Sequence, residues 1–558
     1  MLRRNEPGLV FLPLGGVGEI GMNCALYGFG TESDRRWIMV DCGITFGDVK
    51  STPGVDLVYP DISFIEEERE DLVAILLTHA HEDHYGAIAD LWPRLRAPVY
   101  ATPFTAGLLE AKQQENQRRE KVPVTVIEQG TTLSLDPFEV EYVAVSHSIP
   151  EPNALRITTP LGTVVHSGDW KIDPTPGLGV PMNEPRFREI GRAGVRALVC
   201  DSTNAIRAGR SPSEADVAKS LADIVREAPN RVAVTTFSSN VARLKAVLEA
   251  AAAAERHVVV MGRAIKRVLE VARELGYLEG LPAPLEEDDY GYLPRDKVVL
   301  LLTGSQGEER AALSRIASDD HPRVALSPGD LVIFSSRTIP GNEKAVNAVL
   351  NGLAKQRVDA LPPDQALVPV SGHPRRDELG ELYDCLPPEL VVPVHGEPLH
   401  LFEHAEFAED RGIREVVLAA NGDVVQLAPA PGKIVDDLDV DVELLDGKLL
   451  LPPADSGVDD RRRLAFAGCV VGFVMLDERF ELADDPDVVT FGIPGRDGRG
   501  DDLAGRLVET LADAVESIPR PRRRDRDMVA MAGRRALRSY LSQNWGKKPL
   551  CKVRVALV

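Results

Sequence analysis

The stretch Thr78-His79-Ala80-His81-Glu82-Asp83-His84 places four potential metal ligands within six residues. It follows an apolar segment, Leu72–Leu77, that is predicted to be a strand, and it leads into a helix predicted over Tyr85–Leu95. On a tight turn between the two, the first two histidines can converge on one cation while the aspartate and the last histidine reach a second. Imidazole and carboxylate ligands suit zinc or manganese, and sites with open positions for water are the catalytic kind. Because this spacing is more specific than a lone pair of histidines, it predicts a two-metal site rather than a helix cap.

Further candidate ligands follow other predicted strands. His147, Asp169 and His395 each come after a short apolar segment. A single His or Asp in such a place is usually a turn or capping residue, but three of them at comparable positions favour metal binding. A carboxylate such as Asp169 would also neutralise charge between two cations. The predicted metal ligands are His79, His81, Asp83, His84, His147, Asp169 and His395.

The rhythm of strands and helices changes along the chain and predicts an inserted domain. Short β-rich segments with Gly and Asp turns run through residues 1–210. Four strand–turn–helix units follow in 211–360, which indicates a parallel sheet flanked by helices. Residues 361–430 again show short β-rich segments like those of residues 1–210. The Pro- and Asp-rich segment 431–464 is predicted to be a linker, and 465–558 a small separate α+β domain.

Composition is typical of a soluble protein of several domains. The 558 residues exceed the ~100–200 of one domain, and 44% are hydrophobic and 27% charged. We expect a cytoplasmic protein, because no apolar run approaches the ~20 residues of a membrane span and the six cysteines form no CxxC pair. The net charge of −22 argues against indiscriminate attraction to nucleic acid, although the segment from Arg520 to the end is basic.

Eight segments of the chain carry a resemblance to known proteins: Pro13–Asn23, Val40–Gly43, the His79–His84 turn, Ser146–Pro150, Ser167–Asp169, Cys200–Thr203, Ser371–His373 and Val394–Glu397. In these segments the chain resembles the metallo-β-lactamase superfamily, within it the β-CASP nucleases, and most closely the ribonuclease J family. The glycine-rich stretch Pro13–Asn23 and the last two segments, Ser371–His373 and Val394–Glu397, separate that family from glyoxalase-like and lactamase-like relatives. The resemblance implies an α/β fold: an αββα sandwich with an inserted parallel α/β domain, the β-CASP domain, and a small C-terminal α+β domain.

The resemblance also implies a function. It predicts a ribonuclease that hydrolyses RNA phosphodiester bonds with two divalent ions, Zn or Mn. The expected activities are a 5′-to-3′ exonuclease that prefers 5′-monophosphate ends and an endonuclease, both acting in rRNA processing and mRNA decay. The expected partners are RNA, further copies of the chain in a homodimer or tetramer formed through the C-terminal domain, and RNA-decay proteins.

Roles carry over position by position from the same resemblance. Asp41 and Asp201 match acidic positions that orient metal ligands. His373 matches a histidine that contacts the scissile phosphate and assists proton transfer, and Asp83 or Asp169 would hold the attacking water. The predicted catalytic residues are therefore His373, Asp83, Asp169 and Asp201.

A preference for 5′-monophosphate requires an anion pocket, and the start of a predicted helix offers free backbone N–H groups for it. Similar serine-rich turns occur at 303–305 and 335–337, so the choice among them rests on the resemblance. Pro369 departs from the family, which usually has histidine there. The predicted pocket residues are Phe237, Ser238, Ser239 and Asn240 on one wall and Pro369, Val370, Ser371, Gly372 and His373 on the other.

A negatively charged enzyme can attract an anionic substrate only where a groove is locally positive. We expect Lys266, Arg267 and Arg337 to line this groove. His400 and His404 lie four residues apart on a predicted helix whose face looks solvated. No carboxylate stands at a converging position, so they are not predicted to bind metal.

Two alternatives stay open. A DNA-directed β-CASP nuclease would use the same metal site, but the N-terminal glycine-rich stretch counts against it. A catalytically silent RNA-binding scaffold would be favoured by the loss of a ligand, and every ligand is present.

Overall fold

The computed structural model describes residues 6–115, 120–339, 341–496, 500 and 502–558. They form two compact units. The first comprises the chain up to Thr45 together with Tyr59–Asp441, and the second comprises Phe46–Val58 together with Val442–Val558.

The strands and helices are numbered in chain order. The strands are β1 (Gly8–Gly15), β2 (Cys24–Thr31), β3 (Asp34–Val40), β4 (Thr45–Phe46), β5 (Leu57–Pro60), β6 (Leu72–Leu76), β7 (Val99–Ala101), β8 (Val124–Val126), β9 (Thr132–Leu135), β10 (Phe138–Ala144), β11 (Asn153–Thr159), β12 (Gly162–His166), β13 (Val195–Asp201), β14 (Val232–Thr235), β15 (His257–Met261), β16 (Val298–Leu302), β17 (Leu331–Phe334), β18 (Asp359–Leu361), β19 (Pro388–Val394), β20 (Glu415–Val416), β21 (Asp423–Ala428), β22 (Lys433–Asp437), β23 (Val442–Asp446), β24 (Leu449–Leu451), β25 (Cys469–Leu476), β26 (Asp487–Phe491) and β27 (Leu550–Leu557). The α-helices are α1 (Ser63–Glu67), α2 (Glu82–Tyr85), α3 (Ile88–Leu95), α4 (Pro103–Glu115), α5 (Glu184–Ala193), α6 (Glu214–Glu227), α7 (Val241–Ala253), α8 (Arg263–Glu274), α9 (Ala312–Ala317), α10 (Glu343–Lys355), α11 (Arg376–Cys385), α12 (Pro398–Asp410), α13 (Val458–Ala467), α14 (Leu503–Glu516) and α15 (Arg526–Asn544).

Two large sheets of the first unit face each other and enclose its main core. Their strand orders are β22-β21-β1-β2-β3-β6-β7-β8 and β20-β19-β13-β12-β11-β10-β9. Apolar side chains from both sheets, such as Phe11 and Tyr27 from one and Tyr142 and Leu155 from the other, form one buried cluster. Helices α5, α11 and α12 supply a second cluster with strands β10, β12, β13 and β19. The predicted αββα sandwich is confirmed.

The inserted domain is built on a parallel sheet of order β15-β16-β14-β17-β18. Its strands are continuous apolar runs, as expected for a sheet covered on both faces, and the four predicted strand–helix units are β14–α7, β15–α8, β16–α9 and β17–α10. Sequence reasoning missed the edge strand β18, because it has only three residues and leads directly into Pro362-Pro363.

The buried Arg243 ties the inserted domain to the segment that returns from it. Its guanidinium donates hydrogen bonds to the Glu214 carboxylate at 2.9 Å, to the Ser335 carbonyl at 2.8 Å and to the Val368 carbonyl. Both members of the ion pair are buried, at 0% and 3% exposure. Arg243 therefore fixes α6, the end of β17 and the chain just before His373 relative to one another.

Arg243→Met is expected to lower the thermal unfolding midpoint, because it leaves Glu214 buried and charged without its partner. Removing one member of a buried ion pair costs ~3–5 kcal/mol, whereas replacing both by apolar residues is often nearly neutral. The double variant Arg243→Met/Glu214→Met should therefore regain part of the lost midpoint in a thermal shift measurement. A single variant as stable as the unchanged protein would contradict this assignment.

The helix predicted over Tyr85–Leu95 is two helices in the structure. Helix α2 ends at Tyr85 and α3 begins at Ile88, with Pro93 inside α3. The break follows the ligand turn closely, since the backbone N–H groups of His84 and Tyr85 both donate to the carbonyl of His81.

In the second unit, β25 lies between β26 and β27, and helices α14 and α15 share a buried core with this sheet. The segment predicted to be a linker holds β22, which pairs in the first unit, and β23, β24 and α13 of the second. The domain boundaries given above remain a prediction. No helix in the described part of the chain is long and apolar enough to cross a membrane.

Candidate metal centre

The predicted ligands lie at the carboxyl ends of strands from both sheets. Parallel pairing of β3 with β6, and of β12, β13 and β19 with one another, brings these ends to the same edge. Asp41 and His395 adopt left-handed backbone conformations, with φ of 61° and 53°. Such conformations cost of order 1–3 kcal/mol and persist where the surroundings fix them. Backbone hydrogen bonds from Asp41 to the Leu76 carbonyl and from His395 to the Gly16 carbonyl do so here.

The first ligand set contains His79, His81, His147 and Asp169. Nε2 of His79 and Nε2 of His147 lie 3.0 and 3.1 Å from Nδ1 of His81. Oδ2 of Asp169 lies 3.8 Å from the first of these nitrogens and 3.7 Å from the second. Four ligand atoms at these separations fit around one cation with bonds of about 2 Å.

The second ligand set contains Asp83, His84, Asp169 and His395. Oδ2 of Asp169 lies 3.3 Å from Nε2 of His84 and 3.5 Å from Nε2 of His395. Oδ2 of Asp83 is 3.6 and 3.9 Å from the same two nitrogens. Because Oδ2 of Asp169 belongs to both sets, the two sites share a bridging carboxylate.

The remaining nitrogen of four of these rings is held by an oxygen acceptor. Nδ1 of His79 lies 3.0 Å from Oγ1 of Thr78, which itself donates to Asp41. Nδ1 of His84 is 2.7 Å from Oδ2 of Asp41. The other two contacts are Nδ1 of His147 to the Gly372 carbonyl at 2.7 Å and Nδ1 of His395 to Oδ1 of Asn23 at 2.9 Å. With the proton on Nδ1, each Nε2 presents its lone pair to the cation position, the usual arrangement of metal-binding histidines.

Electrostatics favours the protonation states that metal binding needs in the first ligand set. Burial lowers the pKa values of His79 and His147, and lowers that of His81 to about 4, so these rings are neutral. Burial alone would raise the pKa of Asp169, but the charges of His395 and His84 outweigh it and hold the pKa well below its usual range. Burial alone would also lower the pKa of His84, but the carboxylates around it, with Asp169 first, raise it. The first set therefore offers three neutral imidazoles around a permanent carboxylate, which is a metal-binding donor set, whereas a cation at the second set would have to displace a proton from His84.

One atom of the bridging carboxylate supports this fit. Oδ1 of Asp169 is buried and lacks a hydrogen-bond partner in the described structure. An unsatisfied buried carboxylate oxygen is costly, and a cation relieves that cost. The residues present therefore fit two divalent metal ions.

His373 stands beside the two ligand sets rather than inside them. Its Nδ1 lies 2.8 Å from Oδ2 of Asp201 and 3.9 Å from Oδ2 of Asp169. Burial alone would lower the pKa of His373, but the carboxylates of Asp201 and Asp169 raise it to about 9. The ring is thus a charged donor that Asp201 holds at the edge of the metal centre.

Comparisons with known proteins decide the family. Family models match the chain over 19–234 (metallo-beta-lactamase superfamily), 229–353 (ribonuclease J, beta-CASP domain), 367–418 (Zn-dependent metallo-hydrolase RNA specificity domain) and 456–556 (ribonuclease J C-terminal domain). The chain is 54% identical to ribonuclease J of Sinorhizobium meliloti, across 99% of this chain and 97% of that protein.

The chain belongs to the ribonuclease J family. Two further members are more distant: ribonuclease J of Mycolicibacterium smegmatis is 36% identical and that of Corynebacterium glutamicum 37%, each over 97% of this chain and over 96% and 75% of their own lengths. A crystal structure described as a protein of unknown function from Enterococcus faecalis V583 matches with a TM-score of 0.52 at 18% identity, over 75% of this chain and all of that one. That last likeness shows the fold alone. Family membership and fold class are confirmed, and the metallo-β-lactamase fold implies divalent metal ions.

Gly372, in the ribonuclease J motif Ser371–His373, packs directly against a candidate metal ligand. A Cβ atom added at this position would lie 2.5 Å from Nδ1 of His147, the atom that bonds the Gly372 carbonyl. Gly372→Ala is therefore expected to displace that ring and to weaken metal binding by about 10–100-fold, as for other changes next to metal ligands.

Metal affinity measured by competition with a chromogenic chelator tests this expectation. Gly291→Ala is the matched control, because a Cβ atom there meets nothing within 4 Å. Equal affinities for the two variants would show that the contact does not position His147.

The two predicted walls of the phosphate pocket, residues 237–240 and 369–373, both lie in the described structure. Phe237 is exposed, Ser238 and Ser239 are half-buried, and Asn240 caps α7 by accepting a hydrogen bond from the Arg243 N–H group at 2.9 Å. On the other wall Oγ of Ser371 accepts hydrogen bonds from the Asn204 amide at 2.7 Å and from the backbone N–H of His373 at 3.3 Å, while Pro369 and Val370 are buried. The side chain of Asn240 is thus engaged in capping, which leaves the two serines as the free polar groups of that turn.

Two of the three cations expected to line a channel are paired with acids. Lys266 forms an ion pair with Glu286, and Arg267 forms one with Glu115. Their charges are neutralised locally, which the sequence could not show. Arg337 has no such partner in the described structure.

Sequence reasoning missed two residues that orient ligands. Asn23 accepts a hydrogen bond from His395 and approaches Nε2 of His84 at 3.1 Å, and Thr78 holds His79. Their only sequence signal is position: Asn23 ends the glycine-rich stretch and Thr78 opens the ligand turn.

The prediction that the helix with His400 and His404 has a solvated face there was wrong, because both histidines are buried. His404 is fully buried, and its ring bonds Oγ of Ser202 at 2.8 Å and the Tyr383 hydroxyl at 2.6 Å. Both nitrogens are occupied by protein groups, which agrees with a structural role.

Proposed function

We propose that this chain is a metal-dependent ribonuclease that hydrolyses RNA phosphodiester bonds. It acts as a 5′-to-3′ exonuclease that prefers 5′-monophosphate ends and also as an endonuclease, in RNA maturation and decay. One observation carries the proposal: the predicted ligands of a ribonuclease J chain form two sets that share Oδ2 of Asp169.

The proposed ligands are the seven residues predicted from the sequence. His79, His81, His147 and Asp169 would hold one ion, and Asp83, His84, His395 and Asp169 would hold the other. We propose zinc or manganese, since imidazole-rich sites with carboxylates suit both. When bound, two such ions supply a Lewis acid that activates water and neutralises charge on the phosphate.

Side chains of the protein contact the phosphate, transfer the proton and orient the water and the ligands. His373, held in its charged form by Asp201, donates a hydrogen bond to the phosphate and can transfer a proton to the leaving oxygen. Asp83, whose carboxylate is partly exposed, orients the attacking water together with Asp169. Asp41 fixes the orientation of His84 and, through Thr78, of His79.

The 5′-monophosphate is proposed to bind between two loops. Ser238, Ser239 and the free N–H groups at the start of α7 form one wall, with Phe237 and Asn240 shaping the turn. The second wall is the segment Pro369–His373. Arg243 supports the arrangement, because it lies one turn after Asn240 and bonds the Val368 carbonyl next to Pro369.

RNA is favoured over DNA as substrate. The match to the RNA specificity domain covers 367–418 and therefore includes His373 and His395. The silent-scaffold alternative is disfavoured, because every ligand is present and oriented.

Cleavage of an RNA oligonucleotide labelled at its 3′ end tests the proposal. The oligonucleotide carries a 5′-monophosphate, 5′-triphosphate or 5′-hydroxyl group and is incubated with Mn²⁺ or Zn²⁺ and either the unchanged protein or His81→Ala. Progressive shortening of the monophosphate form that disappears in the variant is expected. Internal cuts that ignore the 5′ group would restrict the activity to an endonuclease, and cleavage of matched DNA alone would transfer the chain to the DNA-directed class.

A homodimer through the C-terminal domain, or a tetramer of such dimers, is proposed from one face of its sheet. Phe473, Met475, Val489 and Phe491 are exposed on the face of β25 and β26 opposite α14 and α15. Large apolar patches of this kind usually mark an interface. A Phe473→Asp/Phe491→Asp variant should run as a monomer in light scattering, and an unchanged molar mass would refute this interface.

The cell compartment and further partners are also proposals. All six cysteines are free and five of them are buried, which suits a reducing cytoplasm. Other RNA-decay proteins are expected as partners.

A further inference from the structure

Three arginines on segments next to the loop that carries His373 have no acidic partner among the described residues. They are Arg207, Arg337 and Arg375, and in the described parts of the chain none of them forms an ion pair or a side-chain hydrogen bond. Two arginines near them in the sequence do have acidic partners. Arg210 pairs with Glu381 and Arg376 pairs with Glu403. In a chain of net charge −22, unpaired arginines at one place require an explanation.

Backbone contacts place Arg207 and Arg375 side by side. The N–H of Arg376 donates to the carbonyl of Arg207 at 3.1 Å, and the N–H of Asp377 donates to the carbonyl of Gly209 at 3.2 Å. The Asn204 amide, three residues before Arg207, bonds the His373 carbonyl at 3.2 Å. These two arginines therefore flank the segment that begins at His373.

Arg337 reaches the same loop from the inserted domain. It follows Ser335, whose hydroxyl donates to the Val368 carbonyl at 2.8 Å, and its own carbonyl accepts from the Gln306 amide at 2.8 Å. Burial, followed by the charges of Arg207 and Arg375, lowers the pKa of Arg337 to about 10. The guanidinium group of Arg337 is thus close enough to those of Arg207 and Arg375 to feel their charge.

Two donors of this cluster are buried without an acceptor. Nη1 of Arg337 and Nε of Arg375 have no hydrogen-bond partner in the described structure. A buried donor of a charged group left unsatisfied is costly. An anion between the guanidinium groups would relieve both this cost and the mutual repulsion.

We propose that Arg207, Arg337 and Arg375 form a binding site for backbone phosphates of the RNA next to the reacting phosphodiester. The proposal rests on the proposed function, since it assigns this anion site to the same substrate. Guanidinium groups bind phosphate oxygens in a forked geometry, and contacts to phosphates carry no sequence information. The site uses other residues than the serine turn at the start of α7, and it fixes the register of the RNA without selecting its bases.

Binding of a phosphorothioate RNA that resists cleavage tests the site. Fluorescence anisotropy would give the affinity at several salt concentrations for Arg207→Gln, Arg337→Gln, Arg375→Gln and the triple variant. Each lost phosphate contact should reduce the slope of log affinity against log salt by about 0.7, the value for single strands. Arg337→Lys should keep most of the slope. Arg210→Gln and Lys266→Gln, which remove paired cations, are the matched controls and should leave the slope unchanged.

A measurement on the unchanged protein covers the case in which a variant fails to fold. Phenylglyoxal modifies accessible arginines, and mass spectrometry locates the modified residues. The three arginines should react in the free protein and be protected by the phosphorothioate RNA. An unchanged slope in the folded triple variant, or equal modification with and without RNA, would overturn the proposal. Retained binding without cleavage of normal RNA would instead refute the ribonuclease activity and leave this site standing.

Discussion

Asp169→Asn is expected to reduce RNA cleavage by roughly 10³-fold or more. The reason is geometric, because Oδ2 of Asp169 lies within 3.8 Å of the ligand nitrogens of His79 and His147 in one set and of His84 and His395 in the other. The substitution removes the only negative charge shared by the two cation positions and brings an amide N–H₂ group near neutral imidazoles. A catalytic metal supplies several kcal/mol of charge stabilisation, and each ~1.4 kcal/mol is a factor of ten in rate.

The metal content of the same variant separates this explanation from a loss of folding. Elemental analysis should find fewer than two ions per chain, while the far-ultraviolet circular dichroism spectrum stays unchanged. Asp359→Asn is a suitable control, since Asp359 is an exposed residue at the edge of the inserted sheet. A variant that keeps both ions and full activity would show that Asp169 is not the bridging ligand.

His373→Ala is expected to lower kcat by about 10²-fold or more with the metal content intact. His373 belongs to neither four-residue ligand set, and its ring is bonded to Asp201 at 2.8 Å. A positioned proton donor typically contributes 10²–10⁴-fold. Asp201→Asn should give a smaller loss, since it weakens the orientation and the charge of the ring without removing it.

The control for this prediction is His257→Ala, which removes an exposed histidine at the start of β15. Steady-state kinetics on RNA and elemental analysis are needed together. Loss of a metal ion in His373→Ala would make His373 a ligand rather than a proton donor, and unchanged kcat would remove it from the mechanism.

Local patterns made the metal centre predictable from sequence. The His79–His84 turn holds four ligands in six residues, so their convergence needs only one tight turn at a strand end. The strand-end positions of His147, Asp169 and His395 extended the pattern, because the ends of parallel strands meet at one edge. The inserted domain was visible for a related reason: its apolar strands alternate regularly with helices.

Contacts between distant segments could not be predicted in the same way. Asn23 and His395 are separated by 372 residues, and nothing near either one shows that they will bond. The pairing of Lys266 with Glu286 and of Arg267 with Glu115 depends on how helices pack. The sequence therefore led us to expect both cations in an RNA channel, whereas acidic partners neutralise their charges. Burial of His404 was misjudged because its partners, Ser202 and Tyr383, come from other elements.

Metal titration tests whether RNA cleavage requires two ions per chain. The protein would be stripped with a chelator, titrated with Mn²⁺, and assayed at each step for bound metal and for cleavage of a 5′-monophosphate RNA. We expect no cleavage by the stripped protein and a return of activity that is complete at two ions per chain. Full cleavage of RNA by the stripped protein, or full activity at a single ion per chain, would contradict it.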